Sequence, residues 1–125
     1  MINTKNYSYN VIEDTNRIKF EFVPKNNANK LLGEVVLLRC YDDVFETHAD
    51  IYETTLKGCG FGIYMYSSVI EWCFLRGYKV ISSDIERQSS DALRLWGSKR
   101  LRNKFSISLN EDKSRWMIWN LQGQN

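Results

Sequence analysis

The residues best suited to chemistry form a glycine-rich loop, Lys57-Gly58-Cys59-Gly60-Phe61-Gly62, between a predicted strand and a predicted helix. Alternating residues without side chains allow a backbone to approach a ligand closely. The first turn of the following helix offers free N–H groups at the positive end of the helix dipole. Such a place binds anions, above all phosphate, and Lys57 adds a positive charge beside it. A tight turn that needs glycine only for its backbone angles is the alternative interpretation.

Two common phosphate motifs are excluded by the residues at the end of this loop. A dinucleotide fingerprint requires glycine at position 63, where the chain has Ile63. A nucleotide P-loop requires Gly-Lys followed by Ser or Thr, where the chain has Gly62-Ile63-Tyr64. The loop therefore predicts a phosphate site of some other kind.

The elements that must position the loop follow from hydrophobic periodicity and turn residues. A strand, glycine loop, helix and strand in succession require parallel neighbours, whereas the hairpins on either side are antiparallel. Strands are predicted over Tyr7 to Glu13, Arg17 to Val23, Leu31 to Cys40, Glu46 to Leu56, Tyr78 to Ser83, Phe105 to Leu109 and Arg115 to Leu121, and helices over Gly62 to Arg76 and Ser89 to Arg100. The sequence therefore predicts one domain over residues 1–125 of the α+β class. Its central sheet is mixed and mostly antiparallel, with helices against its faces in α/β/α layers.

Composition supports a single folded domain and excludes several kinds of site. The 125 residues are 43% hydrophobic, and 17 basic against 15 acidic side chains leave a net charge of +2, so nucleic-acid binding is not expected. Three cysteines without CxxC spacing and one histidine predict neither a metal site nor a disulfide framework. The beginning of the chain lacks the apolar core of a signal peptide, and no apolar run is long enough to cross a membrane. We expect a cytoplasmic protein.

Two motifs resemble the GCN5-related N-acetyltransferases, the GNAT superfamily. Lys57-x-x-Gly60-x-Gly62 is similar to the family's Arg/Gln-x-x-Gly-x-Gly/Ala pyrophosphate motif, with lysine in the first place. Ser89-x-x-Ala92-x-x-Leu95-Trp96 is similar to the family's Asn-x-x-Ala-x-x-Leu/Phe-Tyr helix. The resemblance covers about Leu31 to Leu121, although the family's paired early helices are missing. Ser83-Asp84 followed by Ser89 to Trp96 also resembles small acetyltransferase-like proteins of bacteriophages, which would place the protein in a host cytoplasm.

This resemblance implies an acyl-CoA N-acyltransferase-like fold and acetyl-CoA as co-substrate. Backbone N–H groups of residues 58 to 63 would hold the pyrophosphate, and the pantetheine arm would lie where the strand Glu46 to Leu56 splays from the strand Tyr78 to Ser83. Ser82 and Ser83 would bind the pantetheine or merely finish their strand. The implied cofactor-binding residues are Leu56, Lys57, Gly58, Cys59, Gly60, Phe61, Gly62, Ile63, Ser82, Ser83, Ser89 and Trp96.

The proton chemistry of acyl transfer has several candidate residues. The family often uses a tyrosine to serve the departing thiolate at the position of Trp96, whose indole has one N–H donor and no useful acid function. Trp96 could still donate a hydrogen bond to sulfur, or it could be a core residue. Tyr64, Tyr66 and Tyr78 are possible substitutes. For a general base, His48 is the single imidazole, and Asp50 shares its strand face and could pair with it, while Glu53 points to the opposite face.

Two functional hypotheses remain open from the sequence. The first is an acetyl-CoA-dependent N-acyltransferase that acts on a primary amine of a small molecule or a protein lysine by direct attack. The second is a non-catalytic interaction protein on the same scaffold, which would form a homodimer or bind a partner through the strand Arg115 to Trp119 at an exposed sheet edge. The basic residues between Lys99 and Lys104 are expected to be a solvated face, with anion binding as the alternative.

Overall fold

The computed structural model describes the backbone of residues 2–121 and the side chains of residues 2–118. The strands are β1 (Tyr7–Glu13), β2 (Arg17–Pro24), β3 (Gly33–Tyr41), β4 (Val44–Ile51), β5 (Lys79–Ile81), β6 (Phe105–Leu109) and β7 (Trp116–Leu121). They form one sheet in the order β1-β2-β3-β4-β5-β7-β6. β4 and β5 pair in parallel, and the remaining neighbours pair in antiparallel. The predicted α+β class with a mixed, mostly antiparallel sheet is confirmed.

Among residues 2–121, three α-helices follow β4 along the chain. They are α1 (Phe61–Leu75), α2 (Ser90–Trp96) and α3 (Lys99–Lys104). The prediction of one helix from Ser89 to Arg100 was wrong, because Gly97 ends α2 and the side chain of Ser98 accepts the Leu101 amide to begin α3. Short 3-10 helices span Thr4–Asn6, Thr54–Leu56 and Ile85–Arg87.

The described helices pack on one face of the sheet, above a single hydrophobic core. Side chains of β2 alternate between the two faces of the sheet. Phe20 and Phe22 are fully buried, whereas Lys19, which precedes Phe20, points to the other face and is only partly buried. Tyr66 of α1 packs edge-on against Trp96 of α2, with ring centroids 5.2 Å apart, which places both helices on the same side. Within residues 2–121 no helix lies across the other face, so the second helical layer of the expected α/β/α arrangement is not seen there. We call that surface the open face.

A wedge opens in the sheet where β4 and β5 separate. These strands pair over only three positions, ending at Glu46 opposite Ile81, whereas β4 continues to Ile51. Beyond Ile81 the chain turns toward β7, because the Ser82 amide donates to the Trp116 carbonyl at 2.8 Å. The far half of β4 therefore has a free edge toward β5. This is the splaying that the resemblance implied, although β4 ends earlier than the predicted Leu56.

The C-terminal strand does not lie at an edge of the sheet. β7 pairs with β5 on one side and β6 on the other, so the prediction of an exposed edge strand from Arg115 to Trp119 was wrong. Trp116 instead packs against the core under the Arg102 guanidinium, 4.7 Å from the ring centroid, and the Trp119 side chain lies outside the described residues. No helix in the described part of the chain has the length and apolar character needed to cross a membrane.

Candidate functional site

The glycine loop adopts backbone angles that its glycines make accessible. Gly58 and Gly60 have φ of +79° and +89°, a region that side-chain-bearing residues seldom adopt. Gly60 is the N-cap of α1, so no side chain caps this helix end. These two positions therefore need glycine for their backbone angles, a requirement that is compatible with ligand binding at the same loop.

The first amides of α1 have no partner within the described part of the chain. The first hydrogen bond of the helix runs from the Tyr64 amide to the Gly60 carbonyl at 3.1 Å. The amides of Gly60, Phe61, Gly62 and Ile63 precede it and meet no protein acceptor among residues 2–121. Four free donors at the positive end of a helix of 15 residues form a strong electrostatic site for an anion.

These amides border a cleft of about 430 Å³ between β4, the glycine loop and the helices. Ala49, Asp50 and Ile51 line it from the free half of β4, while Met65 and Tyr66 line it from α1. Its other lining residues are Lys57, Gly58, Gly60, Gly62, Ile63, Ser89, Asp91, Ala92, Arg94, Leu95, Ser98 and Arg100. The cleft therefore runs from the loop to the wedge, the path expected for a pantetheine arm.

Arg100 brings a second positive charge to the glycine loop. A Cβ placed on Gly60 would lie 2.8 Å from Nη1 of Arg100, so the guanidinium lies directly against this glycine. Lys57 stands in the same cleft lining. Arg100 of the basic segment between Lys99 and Lys104 thus lies beside the loop, within reach of the first amides of α1.

Six of the predicted cofactor-binding residues line the cleft and six do not. Those in the lining are Lys57, Gly58, Gly60, Gly62, Ile63 and Ser89; those outside it are Leu56, Cys59, Phe61, Ser82, Ser83 and Trp96. Phe61 is fully buried in the core, although its amide remains free. Ser82 is also fully buried, and its hydroxyl donates to the Ser83 carbonyl at 2.7 Å and accepts the Trp116 amide at 2.9 Å. Ser82 thus follows the end of β5, and its hydroxyl makes both of these hydrogen bonds within the protein.

A buried phenol lies at the apex of the wedge. Trp96 is 1% exposed and lies behind Tyr66, which lines the cleft. Burial raises the pKa of Tyr66 to about 12, against hydrogen bonds with Thr47 and the Trp96 indole. Thr47 is the first β4 residue beyond the last β4–β5 pair, and its hydroxyl donates to the Ile81 carbonyl at 3.4 Å. Because indole can only donate, Trp96 cannot accept the phenolic proton of Tyr66, and the Thr47 hydroxyl, which gives its own proton to Ile81, is the acceptor available to it.

The candidate bases lie on the open face of β4. His48 is half exposed, and its Nε2 lies 2.8 Å from Oε1 of Glu46. The expected pairing of His48 with Asp50 is not seen; Asp50 lies opposite Glu34 in the register of β3 and β4. Glu53 is not in the strand, because β4 ends at Ile51 and Glu53 is the residue before the 3-10 helix Thr54–Leu56.

Sequence reasoning missed the contacts of Glu46, Arg115 and Arg100, because their signal is not local in sequence. Glu46 and Arg115 are 69 residues apart, yet Arg115 Nη1 donates to Glu46 Oε2 at 2.6 Å. Arg100 was expected to be solvated, and only the break at Gly97 turns it toward the loop. Tyr66 was one of three tyrosines with no feature to separate them until its contact with Trp96 was known.

Solved structures with the same arrangement of elements establish the fold. A domain from Methanocaldococcus jannaschii matches with a TM-score of 0.61 at 21% identity, over 86% of this chain and 68% of that one. Mutant forms of the spermidine/spermine N-acetyltransferase SpeG from Vibrio cholerae match with a TM-score of 0.60 at 12% identity, over 94% and 95%. The N-acetyltransferase PseH from Campylobacter jejuni, in complex with acetyl coenzyme A, matches with a TM-score of 0.52 at 17% identity, over 88% and 71%.

The chain therefore has the fold of the GNAT N-acetyltransferases, as the two sequence motifs indicated. Sequence comparison alone does not reach this result, since no protein-family model matches the chain and no curated protein matches it.

Proposed function

We propose that this protein is an acetyl-CoA-dependent N-acetyltransferase that transfers the acetyl group to a primary amine. The observation that carries the proposal is the set of free amides at Gly60, Phe61, Gly62 and Ile63, at the start of a helix whose Gly62 and Ile63 line a cleft leading to the wedge. A diphosphate has the charge and the acceptor oxygens that such a helix end attracts. Acetyl-CoA has in addition the long arm that would occupy the rest of the cleft.

The residues around the cleft fit acetyl-CoA. Lys57 and Arg100 would neutralise the pyrophosphate that the amides hold, and a side chain at Gly60 would fill the space that the phosphate oxygens need. The free edge of β4 between Thr47 and Ile51 would hydrogen-bond the amides of the pantetheine arm as an added strand does. The thioester would then lie near Tyr66 at the apex of the wedge.

Tyr66 would serve as the acid in place of the family tyrosine. Position 96 carries an indole, which cannot act as an acid at neutral pH, but Trp96 packs on Tyr66 and holds its oxygen. A phenol with a pKa of about 12 stays protonated at neutral pH. It therefore still carries the proton that a departing thiolate would take. A neighbouring helix thus supplies the hydroxyl that the second motif lacks.

His48 would serve as the base from the open face. Its imidazole takes one proton from the acceptor ammonium, and the neutral amine nitrogen then attacks the thioester carbonyl carbon. The C–S bond breaks, the sulfur takes the Tyr66 proton, and the excess proton on the new amide nitrogen returns through water to Tyr66. The imidazolium releases its proton to solvent, so the products are the N-acetyl amide, the free thiol of CoA and one proton.

The open face favours a cationic acceptor. Glu34 and Asp50 lie opposite each other on neighbouring strands, and His48 and Glu46 are on the same face toward the wedge. Carboxylates beside the opening would attract an ammonium group and disfavour anionic amines such as amino acids with free carboxylates. This supports a primary amine, free or on a lysine side chain.

The test is a binding measurement followed by an amine screen. Calorimetry with acetyl-CoA should detect binding in the micromolar range, and release of free thiol should follow when the right amine is added. Folded protein that binds no acetyl-CoA at high micromolar concentration would refute the proposal. Binding without acetyl transfer to any of a broad set of polyamines, monoamines and lysine peptides would favour a non-catalytic role.

A further inference from the structure

A fixed carboxylate lies at the apex of the wedge on the open face. Glu46 occupies the last β4–β5 pair, and its side chain is 19% exposed. Oε2 of Glu46 accepts a hydrogen bond from Arg115 Nη1 at 2.6 Å, while Oε1 lies 2.8 Å from His48 Nε2. Arg115 is itself fixed, because the same nitrogen donates to the Ser82 carbonyl at 3.1 Å. The two carboxylate oxygens are thus held in different directions by two partners.

This arrangement determines which nitrogen of His48 carries the proton. A carboxylate only accepts hydrogen bonds, so the imidazole must donate Nε2–H to Glu46. In the neutral ring the other nitrogen, Nδ1, then has a free lone pair. Nδ1 is the atom able to take a proton from an amine.

The other charged groups around His48 do not offer the same contact. On β4, Asp50 lies opposite Glu34, and Glu34 accepts a hydrogen bond from the Tyr52 hydroxyl at 2.5 Å. Across the sheet, Val36 separates His48 from Lys19 in register, and Lys19 lies 3.8 Å from Glu21. Near Glu46, the Cys40 thiol has its pKa raised first by burial and then by this carboxylate, so it stays neutral.

We propose that Glu46, anchored by Arg115, is a positioning residue that fixes His48 as the Nε2–H tautomer and leaves Nδ1 to take the acceptor proton. The inference rests on the proposed acetyltransferase function. When Nδ1 takes a proton from the ammonium, the N–H bond of the amine breaks and an imidazolium forms. The negative charge of Glu46 stabilises that imidazolium through the Nε2–H bond.

The tautomer can be measured without any enzyme assay, because the chain contains a single histidine. Long-range ¹H–¹⁵N spectra of the labelled protein at a pH where the ring is neutral should show one ring nitrogen protonated and assign it as Nε2. Glu46→Gln should produce a mixture of tautomers, since an amide can donate as well as accept. The matched control is Glu21→Gln on the same face, which should keep the wild-type pattern. A mixture of the two His48 tautomers in the wild-type protein would overturn the inference.

Kinetic measurements then distinguish a positioning role of Glu46 from a purely structural one. Glu46→Gln should lower kcat/KM at least tenfold while the Kd for acetyl-CoA stays within twofold of wild type. Arg115→Met, which leaves Glu46 with its His48 contact alone, should lower kcat/KM less than Glu46→Gln and serves if Glu46→Gln fails to fold. A fixed tautomer with unchanged kcat/KM in both variants would overturn the positioning role alone. Absence of acetyl-CoA binding by the wild-type protein would overturn the proposed function and this inference together.

Discussion

The two ends of α1 provide a matched test of the glycine loop. Gly60 begins the helix and Gly77 follows it, and their φ angles of +89° and +76° both lie in the left-handed region. Alanine at such an angle costs about 1–2 kcal/mol, because its Cβ approaches the following carbonyl. Gly60→Ala and Gly77→Ala should therefore lose similar free energy of unfolding, which corresponds to a fall in Tm of roughly 3–12 °C for a domain of this size.

The two substitutions differ in what the new methyl group meets. At Gly77 no heavy atom lies within 4 Å, whereas at Gly60 the Arg100 Nη1 atom would be 2.8 Å away. Gly60→Ala thus displaces the guanidinium and places a methyl group beside the free amides. We expect its Kd for acetyl-CoA to rise at least tenfold, or about 1.4 kcal/mol of binding free energy. Gly77→Ala should bind as wild type does.

The assay combines calorimetry with acetyl-CoA and thermal denaturation of the same samples. Equal losses of stability with a loss of affinity only in Gly60→Ala would support a binding role for the loop. If Gly60→Ala keeps wild-type affinity while folded, the loop does not hold the pyrophosphate. If both variants lose affinity in proportion to their stability, the effect is one of folding and the reasoning is refuted.

Three further predictions address the acid, the second cation and the core. Tyr66→Phe should lower kcat by about 10²-fold or more with the Kd for acetyl-CoA unchanged, whereas Tyr64→Phe should leave kcat near wild type; equal rates for both variants would exclude Tyr66 as the acid. Arg100→Ala should weaken acetyl-CoA binding about tenfold and reduce its dependence on salt, as expected for loss of a contact to phosphate, while Lys99→Ala should not; calorimetry at two salt concentrations decides this. Burial raises the pKa of Cys73 from 9.0 to about 12. As the pH rises, the unfolded chain therefore loses this proton before the folded protein does. The stability that the neutral thiol contributes is complete below pH 9 and is lost as the pH rises toward 12. The fall in Tm between pH 8.5 and pH 11 should therefore be smaller in Cys73→Ala, and an equal fall would contradict the burial argument.

The sequence predicted the features that depend on neighbouring residues. Alternation in β2 and the spacing of glycines at 58, 60 and 62 were sufficient to locate a strand and a helix N-terminus. The parallel β4–β5 pair was predicted from the connection, because a helix between two neighbouring strands of a sheet returns the chain in the same direction. These features are local or topological, and a single sequence carries them.

The remaining features depend on contacts between distant parts of the chain. The pairing of Glu46 with Arg115 joins β4 to the segment before β7 and has no periodic signature. The expectation that Asp50 would pair with His48 rested on strand spacing, which Glu46 satisfies equally well. The prediction that the C-terminal strand lies at an edge was wrong because β7 inserts between β5 and β6. The order of strands in a sheet cannot be predicted from the sequence of any single strand.

The central claim is that the first amides of α1 bind a diphosphate, and amide NMR tests it most directly. On titration with acetyl-CoA, the ¹H–¹⁵N signals of residues 58–63 should move the most, and inorganic pyrophosphate at higher concentration should move the same signals. Gly77, at the other end of the helix, should not respond. Saturable binding of acetyl-CoA that leaves the signals of Gly60 to Ile63 unchanged would contradict the account.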